Sequence, residues 1–354
     1  MFTPPCCPNR DCRQHTRPSR GFYMRHGTYR AKCRSQSVQR FLCRFCNRTF
    51  SRQTFRADYR DHRPDCNALL FSAIASGIGI RQSARILGLS QRSTELKLRK
   101  IARHLRRLNL NLRGQLGAGE SFHFDEIETY EGQRNARPLS VPVLIETRSR
   151  FIVWAESATI RPRGRMTEKR RKAVERAEKR HGRRTDRSRR AIERTLRRGA
   201  EMVKEKSVVV LDTDEKSTYP RLARKAFGRR RLAHHRTNSK QVRTNWNPLF
   251  PINHEEALMR DLMGRLRRES WLASKQRRYL DLGLQVHMTY RNLVRRRFNY
   301  DDSSPAQQLG FVPRRLTPRE VLSWRQDWGN RSIHPLARSG RTVAQFQQRV
   351  VAAA

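Results

Sequence analysis

Six of the seven cysteines lie within the first 60 residues, and four of them are spaced like the ligands of a metal ion. Cys7 and Cys12 form one pair, and Cys43 and Cys46 form a second pair further along the chain. Four thiolates on two tight turns provide the tetrahedral coordination that structural zinc adopts. The spacing therefore predicts a small finger of the zinc-ribbon kind over residues 1–60, with these four cysteines binding Zn²⁺.

Several nearby residues leave the ligand set partly open. Cys6 could replace Cys7, and Cys33 or His15 could substitute at another position. Phe50, just after the second pair, could supply the apolar contact that such a small module needs. The alternative is a group of buried cysteines without a ligand, but a segment this polar can hardly fold without a metal.

Acidic residues follow two apolar segments in the second part of the chain. Asp125 is predicted to end the strand that begins at Ser121, and Asp212 and Asp214 follow the apolar residues 208–211. A single carboxylate after a strand is usually part of a turn or a helix cap. Carboxylates that converge from different elements, however, can bind the divalent cations used in phosphoryl transfer. We therefore expect Asp125 and Asp214 to bind Mg²⁺ or Mn²⁺.

The overall charge indicates the kind of partner. The chain has 78 Lys and Arg against 31 Asp and Glu, which leaves a formal net charge of +47. Such a chain needs a polyanion, and nucleic acid is the usual one. A ribosomal-type RNA binder or a disordered basic protein are the alternatives, and a hydrophobic content of 36% argues against disorder.

The sequence also indicates a compartment. No segment approaches the roughly 18–20 apolar residues that a membrane span requires. The N-terminal residues MFTPPCCPNRDC lack the apolar segment of a secretory signal. Clustered cysteines in a reducing compartment more often bind metal than form disulfides. We therefore expect a cytoplasmic protein associated with the nucleoid.

Residues 61–115 have the pattern of a helix-turn-helix. Ile80 to Leu87 is predicted to form a short helix, Gly88 to Ser90 the turn, and a second helix to begin at about Gln91. Such a pattern also occurs in plain three-helix bundles, but the adjacent finger and the charge favour DNA binding. The side chains expected to face a major groove are Arg92, Ser93, Glu95 and Lys97, and those expected to pack the helices together are Ile74, Ala84, Ile86, Leu89, Leu96 and Ile101.

The remaining residues are predicted to form an α/β domain over 116–300. A glycine-rich joint at Gly114, Gly117 and Gly119 precedes strand-like segments that include VPVLIE, RFIVWAE and SVVVL. The basic tract 161–206 is expected to form one or two solvated helices or to stay partly disordered without DNA. Residues 301–354, with four prolines, are expected to form a tail. The predicted fold class is multidomain, α+β and α/β, with a mixed sheet and flanking helices.

The sequence resembles the bacterial insertion-sequence DDE transposases of the InsA/InsB type over most of residues 1–300. QRFLCRFCNRTFS resembles the second knuckle of their finger, and the helix-turn-helix follows it as it does in that family. Phe124-Asp125-Glu126 resembles their first acidic motif. Thr213-Asp214 with Tyr219 resembles the second, although Lys216 stands where a Trp is usual. The residues that fit the third motif are Arg260, Arg265, Leu266, Arg268, Ser270, Ser274 and Lys275.

The resemblance implies a ribonuclease-H-like catalytic domain with a basic insertion at 161–206. It also implies a homo-oligomer that acts on double-stranded DNA, with the terminal inverted repeats of the element and a target duplex as substrates. Two other classes stay open: a transcriptional regulator or decayed transposase that binds DNA without catalysis, and an RNA-binding structural protein.

The sequence offers two positions for the third catalytic residue. The register of the third motif places Asn253 where the family has its catalytic Glu. Glu255 is expected to project into the apolar stripe of a long helix that begins near Asn253, because residues advance by about 100° each along a helix. Asn253 and Glu256 would then form a capping box at the start of the helix. These arguments favour Glu255 as the third catalytic residue.

Overall fold

The chain folds into two units. The computed structural model describes residues 2–30, 33, 36–112, 120–164, 166–228, 230–242, 244–267 and 272–324. The first unit comprises the residues up to Ala73, Gly79–Leu112 and the residues from Leu316, and the second comprises Ile74–Ile78 and Arg113–Arg315. The predicted glycine joint, Arg268 and Ser270 of the third motif, and the tail beyond 324 lie outside the described residues.

The cysteine-rich part of the first unit is built around a small antiparallel sheet. Helix α1 (Arg13–Thr16) precedes strands β1 (Tyr23–Arg30), β2 (Ser37–Cys43) and β3 (Thr49–Ser51), which pair in that order and lead into a 3₁₀ turn over Arg52–Phe55. Its apolar core consists of buried cysteines together with Phe22, Phe41, Phe50 and Phe55. The predicted packing role of Phe50 is therefore confirmed.

Three helices follow: α2 (Cys66–Ala75), α3 (Ile80–Leu87) and α4 (Gln91–Asn111). The predicted bounds of α3 and the start of α4 are confirmed. Gly88 ends α3 with a φ of 60°, a conformation that favours glycine, and the Ser90 hydroxyl accepts a hydrogen bond from the Ser93 N–H at 3.1 Å.

Two of the side chains predicted to pack these helices together do not do so. Ile86 is 56% exposed and Leu96 is 49% exposed, whereas Ala84 and Ile101 are buried as expected. The apolar pattern of α3 and α4 is wider than the face that the helices bury.

The second unit contains a mixed sheet. Its strands are β4 (Glu120–Tyr130), β5 (Pro138–Glu146), β6 (Ile152–Ala155), β7 (Ala158–Thr159), β8 (Val208–Asp214) and β9 (Arg231–Thr237). The spatial order is β6-β5-β4-β8-β9, with β7 beside β5. Strands β4, β5 and β6 are antiparallel, whereas β8 runs parallel to both β4 and β9. This confirms the mixed α/β class.

The basic tract contains two helices of different character. Helix α5 (Glu168–His181) has a mostly exposed surface, as predicted. Helix α6 (Ser188–Ala200) is not a solvated helix, because Ala191, Ile192 and Leu196 are buried. At Gly199 an added Cβ would come within 2.7 Å of the Leu144 side chain on β5, so α6 approaches the sheet closely. The prediction that residues 161–206 form one or two solvated helices was therefore wrong for α6.

The remaining helices complete both units. They are α7 (Tyr219–Phe227), α8 (Phe250–Leu262), α9 (Arg277–Thr289), α10 (Pro305–Gln308) and, in the first unit, α11 (Pro318–Ser323). Helix α8 begins earlier than predicted, with Pro251 in its first turn, where a missing N–H has no cost. It ends at Leu262, so the predicted long helix is shorter than expected.

Candidate functional site

The four predicted zinc ligands lie together. The sulfur atoms of Cys7, Cys12, Cys43 and Cys46 are all within 4.8 Å of one another. The Cys7–Cys46 sulfur distance is 3.6 Å and the Cys12–Cys43 distance is 3.9 Å. A zinc ion bonded to four sulfurs at about 2.3 Å holds them about 3.8 Å apart in a tetrahedron. The measured distances fit that spacing, and they are far longer than a disulfide bond.

Backbone N–H groups near these cysteines donate hydrogen bonds to their sulfur atoms. Backbone N–H groups two residues after a cysteine donate to sulfur, from Asn9 to Cys7, from Gln14 to Cys12 and from Arg48 to Cys46. The second turn closes through Asn47, whose φ of 55° is tolerated by asparagine better than by most residues. Such N–H groups stabilise thiolates, so the site fits zinc.

The other candidate ligands have different surroundings. Cys6 is buried in the apolar core of the finger, and Cys33 donates to the carbonyl of Asp61. The His15 Nδ1 lies 2.7 Å from the carbonyl oxygen of Cys7, so that nitrogen is occupied by the backbone. The structure therefore uses Cys7 rather than Cys6.

The predicted carboxylates of the sheet meet on one face. Asp125 lies in the middle of β4 rather than at its end, because β4 continues to Tyr130. Strands β4 and β8 are in register at His123 and Asp212, so Asp125 and Asp214 occupy the next equivalent positions on parallel neighbours. Asp214 is the last residue of β8, and its carboxylate accepts the Lys216 N–H at 3.0 Å.

Glu256 on α8 is the third carboxylate near this pair. Burial, followed by the negative charges of Glu256 and Asp214, raises the pKa of Asp125 to about 8, although the Glu126 N–H donates to Asp125 at 2.7 Å. Glu256 is itself buried, and its Oε2 accepts a hydrogen bond from Arg260 at 2.8 Å. Three elements, β4, β8 and α8, thus contribute negative charge around Asp125.

The preference for Glu255 as the third carboxylate was wrong. Glu255 is fully buried, and both of its oxygens accept from Arg291, at 2.7 and 2.9 Å. The helical phase correctly indicated that Glu255 points inward, but the buried guanidinium of Arg291 neutralises its charge. Asn253 lies inside α8 and is not its N-cap, since Leu249 precedes the first helical residue.

Glu126 forms a second polar cluster, next to Asp125 in sequence but on the other face of β4. Its carboxylate accepts from Lys216, from the Tyr219 hydroxyl at 2.8 Å and from the Ser140 hydroxyl at 2.5 Å. Tyr219 also packs edge-on against Phe124 at 5.1 Å. Lys216, the residue that departs from the family pattern, therefore ties the turn after β8 to β4. Sequence reasoning missed this cluster because its members are far apart in the chain.

Asp212 is the second acidic residue of β8. It lies within the strand and not after it, and its Oδ1 is 3.4 Å from the exposed His235 Nδ1 on β9. On the other side, in register, is His123, whose ring nitrogens lie 2.8 Å from the Thr147 hydroxyl and from the Pro248 carbonyl.

The residues predicted to enter a major groove have different environments. Arg92 and Ser93 are exposed at the start of α4, so they remain candidates for DNA contacts. Lys97 is not available, because it is 8% exposed and its ammonium forms an ion pair with Asp61. The same group donates to the Arg63 carbonyl at 2.6 Å and to Asn67 at 3.2 Å. The prediction for Lys97 is therefore corrected: it anchors the segment before α2.

The described part of the third motif has mixed roles. Arg260 is paired with Glu256, and Arg265 donates to the buried Ser274 hydroxyl at 2.9 Å. Lys275 lines a cavity of about 570 Å³ together with residues of α5, among them Arg176 and Arg180. The motif thus supports α8 and contributes to a basic surface.

Among the residues with assigned structure, the four cysteines are the one group of three or more Cys, His, Asp or Glu side chains whose ligand atoms lie within 4.8 Å of one another. The carboxylates Asp125, Asp214 and Glu256 are therefore more widely spread than the sulfurs.

Two further observations bear on the class of protein. Across the described ranges, none of the helices combines the length and the apolar character needed to span a bilayer. No family model matches the chain, and a search of curated proteins returns no significant match.

Proposed function

We propose that the chain is a transposase of the DDE type, which binds the inverted-repeat ends of a mobile DNA element and cuts and joins DNA strands. The observation that carries this proposal is the position of Asp125, which lies on the strand next to that of Asp214 and whose pKa is raised by burial and by the charges of Glu256 and Asp214. Burying carboxylates against one another is unfavourable unless cations neutralise them. Such an arrangement is the usual mark of a functional site.

The order of the strands supports a ribonuclease-H-like domain. Three antiparallel strands, β4, β5 and β6, are followed by β8 and β9, which add in parallel beside β4. The first acidic residue lies on the central strand β4, the second at the end of its parallel neighbour and the third on a helix. This is the arrangement that the resemblance to the transposase family implies.

Asp125, Asp214 and Glu256 would hold Mg²⁺ or Mn²⁺, which when bound would activate water or a DNA 3′-hydroxyl and stabilise the leaving oxygen. The protein itself fixes the carboxylates. The Glu126 and Lys216 N–H groups orient Asp125 and Asp214, and Arg260 holds Glu256. Because the pKa of Asp125 is about 8, its proton must leave before a cation binds.

The other parts of the chain would bring DNA to this site. Zn²⁺ held by the four cysteines would stabilise the finger, and the exposed Arg92 and Ser93 of α4 would contact a major groove. The net charge of +47 would provide the attraction to phosphate. In this proposal the protein acts in the cytoplasm, on the nucleoid, as a homo-oligomer assembled on the element ends.

A regulator or decayed transposase is the main rival. Its best support from the sequence is Asn253, which stands at the position of the family's catalytic Glu. Glu256 lies three residues further along α8, one helical turn away, and contributes its charge to Asp125. The acidic set therefore has a third member, which favours an active enzyme.

An assay of DNA strand cleavage distinguishes an active transposase from a regulator or decayed transposase. The substrate is a linear duplex that carries the inverted repeats found in the DNA flanking the gene, with a scrambled duplex as the control. We expect cleavage at the repeat ends with Mg²⁺ or Mn²⁺ and none with EDTA. Asp125→Ala and Asp214→Ala should bind the ends like the wild type but not cut them. End binding without cleavage in the wild type would support the regulator, and full activity in both variants would refute the enzyme.

A further inference from the structure

A cavity in the first unit has the lining of a nucleotide site. Its volume is about 560 Å³, within the usual range for ligand pockets. One wall is the finger sheet, with Tyr29 on β1 and Arg40 on β2, and the other is the segment before α2, with Tyr59 and Arg60. Ser51 and Thr54 also line it, as do Asp58 and Asp61, whose carboxylates pair with Arg56 and Lys97.

The aromatic rings are each accompanied by a guanidinium. The Arg40 guanidinium lies 5.4 Å from the centre of the Tyr29 ring, and that of Arg60 lies 5.4 Å from the centre of the Tyr59 ring. Tyr rings stack on the faces of unpaired bases, and arginines beside them meet the phosphates of the same strand. These tyrosines and arginines belong neither to the predicted helix-turn-helix nor to the proposed carboxylate site.

The wall that carries Tyr59 is held in place by α4. Lys100 donates to the Tyr59 carbonyl at 3.0 Å, and Lys97 forms its buried ion pair with Asp61. Arg60 has a φ of 56°, an uncommon conformation for a residue with a side chain. Despite this anchoring, the Tyr59 ring is 38% exposed. The segment thus presents a fixed aromatic ring to solvent.

We propose that this cavity binds an unpaired DNA base, so that the first unit recognises a single-stranded tail next to the duplex. The inference rests on the proposed function for its partner, DNA, and adds a base-stacking site to it. In a duplex the bases are already paired and stacked, so a single-stranded tail is the form of DNA whose bases can reach the two rings. The arginines would contact the phosphate of the stacked nucleotide.

The test measures the affinity of the full-length, zinc-loaded protein for three duplexes by fluorescence anisotropy. One duplex is blunt, one carries a short thymine tail, and one carries an abasic tail of equal length and charge. We expect the thymine tail to bind about tenfold more tightly than the abasic tail, the effect of one stacked base. Tyr59→Ala and Tyr29→Ala should remove this difference, and Tyr59→Phe should keep it.

Tyr300→Ala is the matched control, because Tyr300 is fully exposed in the second unit. It should leave all three affinities unchanged. If Tyr29→Ala loses zinc, the Tyr59→Ala variant alone tests the proposal, because Tyr59 is partly exposed. Equal affinity of the wild type for thymine and abasic tails would overturn the proposal, as would a tenfold difference that survives in Tyr59→Ala. Binding of the blunt duplex and strand cleavage test the proposed function separately, so its failure can be distinguished from failure of the base-stacking site.

Discussion

Replacement of Asp125 by asparagine should stabilise the protein while abolishing cleavage. In the metal-free protein Asp125 is surrounded by the charges of Glu256 and Asp214, which together with burial raise its pKa from 3.8 to about 8. An amide of the same shape has no charge to bury. Asp125→Asn therefore removes an unfavourable interaction from the folded state.

The size of this effect depends on pH. Between about pH 4 and pH 8 the folded protein holds a proton on Asp125 that the unfolded chain has lost, so the stability of the wild type falls as the pH rises through this window. Each pKa unit corresponds to about 1.4 kcal/mol, which sets an upper limit of about 5–6 kcal/mol above pH 8. Because Asp125 is partly exposed, solvent screening reduces the expected gain to about 2 kcal/mol.

The assay is urea unfolding of both zinc-loaded proteins without added Mg²⁺ at pH 4.5 and pH 8.5, followed by tryptophan fluorescence. Asp125→Asn should match the wild type at the lower pH and exceed it by about 2 kcal/mol at the higher pH. Mg²⁺ should stabilise the wild type at pH 8.5 but not the variant. Asp261→Asn, which changes an exposed carboxylate on α8, is the control and should show no such gain. A variant that is less stable than the wild type at pH 8.5, or a gain that is the same at both pH values, would refute the reasoning.

Three other predictions concern residues that stabilise one or the other of the two units. Cys43→Ser should lose the bound zinc, measured by atomic absorption, and unfold the finger, whereas unchanged zinc content would exclude the four-cysteine site. Arg291→Met should lower the free energy of unfolding by about 3–5 kcal/mol, because it leaves Glu255 buried without its partner. The double variant Arg291→Met with Glu255→Leu should recover most of this loss in urea unfolding, and a double variant as unstable as the single one would contradict the prediction. Burial lowers the pKa of His104 to about 4, so the stability of the first unit should fall by about 2 kcal/mol between pH 6.5 and pH 5 as the unfolded chain takes up a proton. In His104→Gln this pH dependence should be absent from the urea unfolding curves, and an unaltered slope would assign it to another group.

The features predicted correctly from the sequence have local causes. The bounds of α3 follow from Gly88, which adopts a left-handed conformation, and the start of α4 follows from the Ser90 cap. The pairs Cys7 with Cys12 and Cys43 with Cys46 each close within a few residues. In such cases the residues that determine the structure are neighbours in the chain, so their spacing contains the information.

The errors arose where the deciding partner is distant in sequence. Glu255 projects inward as its helical phase predicted, but it pairs with Arg291, which comes 36 residues later in the chain. Lys97 has the position of a groove contact on α4, but Asp61 captures its ammonium. Neither partner could be identified from a single sequence, because no local pattern joins residues that far apart.

The basic tract shows a related difficulty. Composition alone makes α5 and α6 similar, since both are rich in arginine. The difference lies in one face of α6, where Ala191, Ile192 and Leu196 recur at helical spacing and bury against the sheet. Because arginines surround these positions, the average charge of residues 161–206 does not indicate that α6 has an apolar face.

Carboxylates from β4, β8 and α8 are proposed to act together on DNA, and Glu256 is the member to which the sequence assigned only a capping role. The most direct measurement is Mg²⁺-dependent cleavage of the inverted-repeat duplex by Glu256→Gln, with Asp261→Asn on the same helix as the matched control. The account predicts that Glu256→Gln binds the ends normally but cuts them at least about 100-fold more slowly, as expected for the loss of an essential charged ligand. Asp261→Asn should cut at the wild-type rate. Wild-type cleavage by Glu256→Gln would contradict the account.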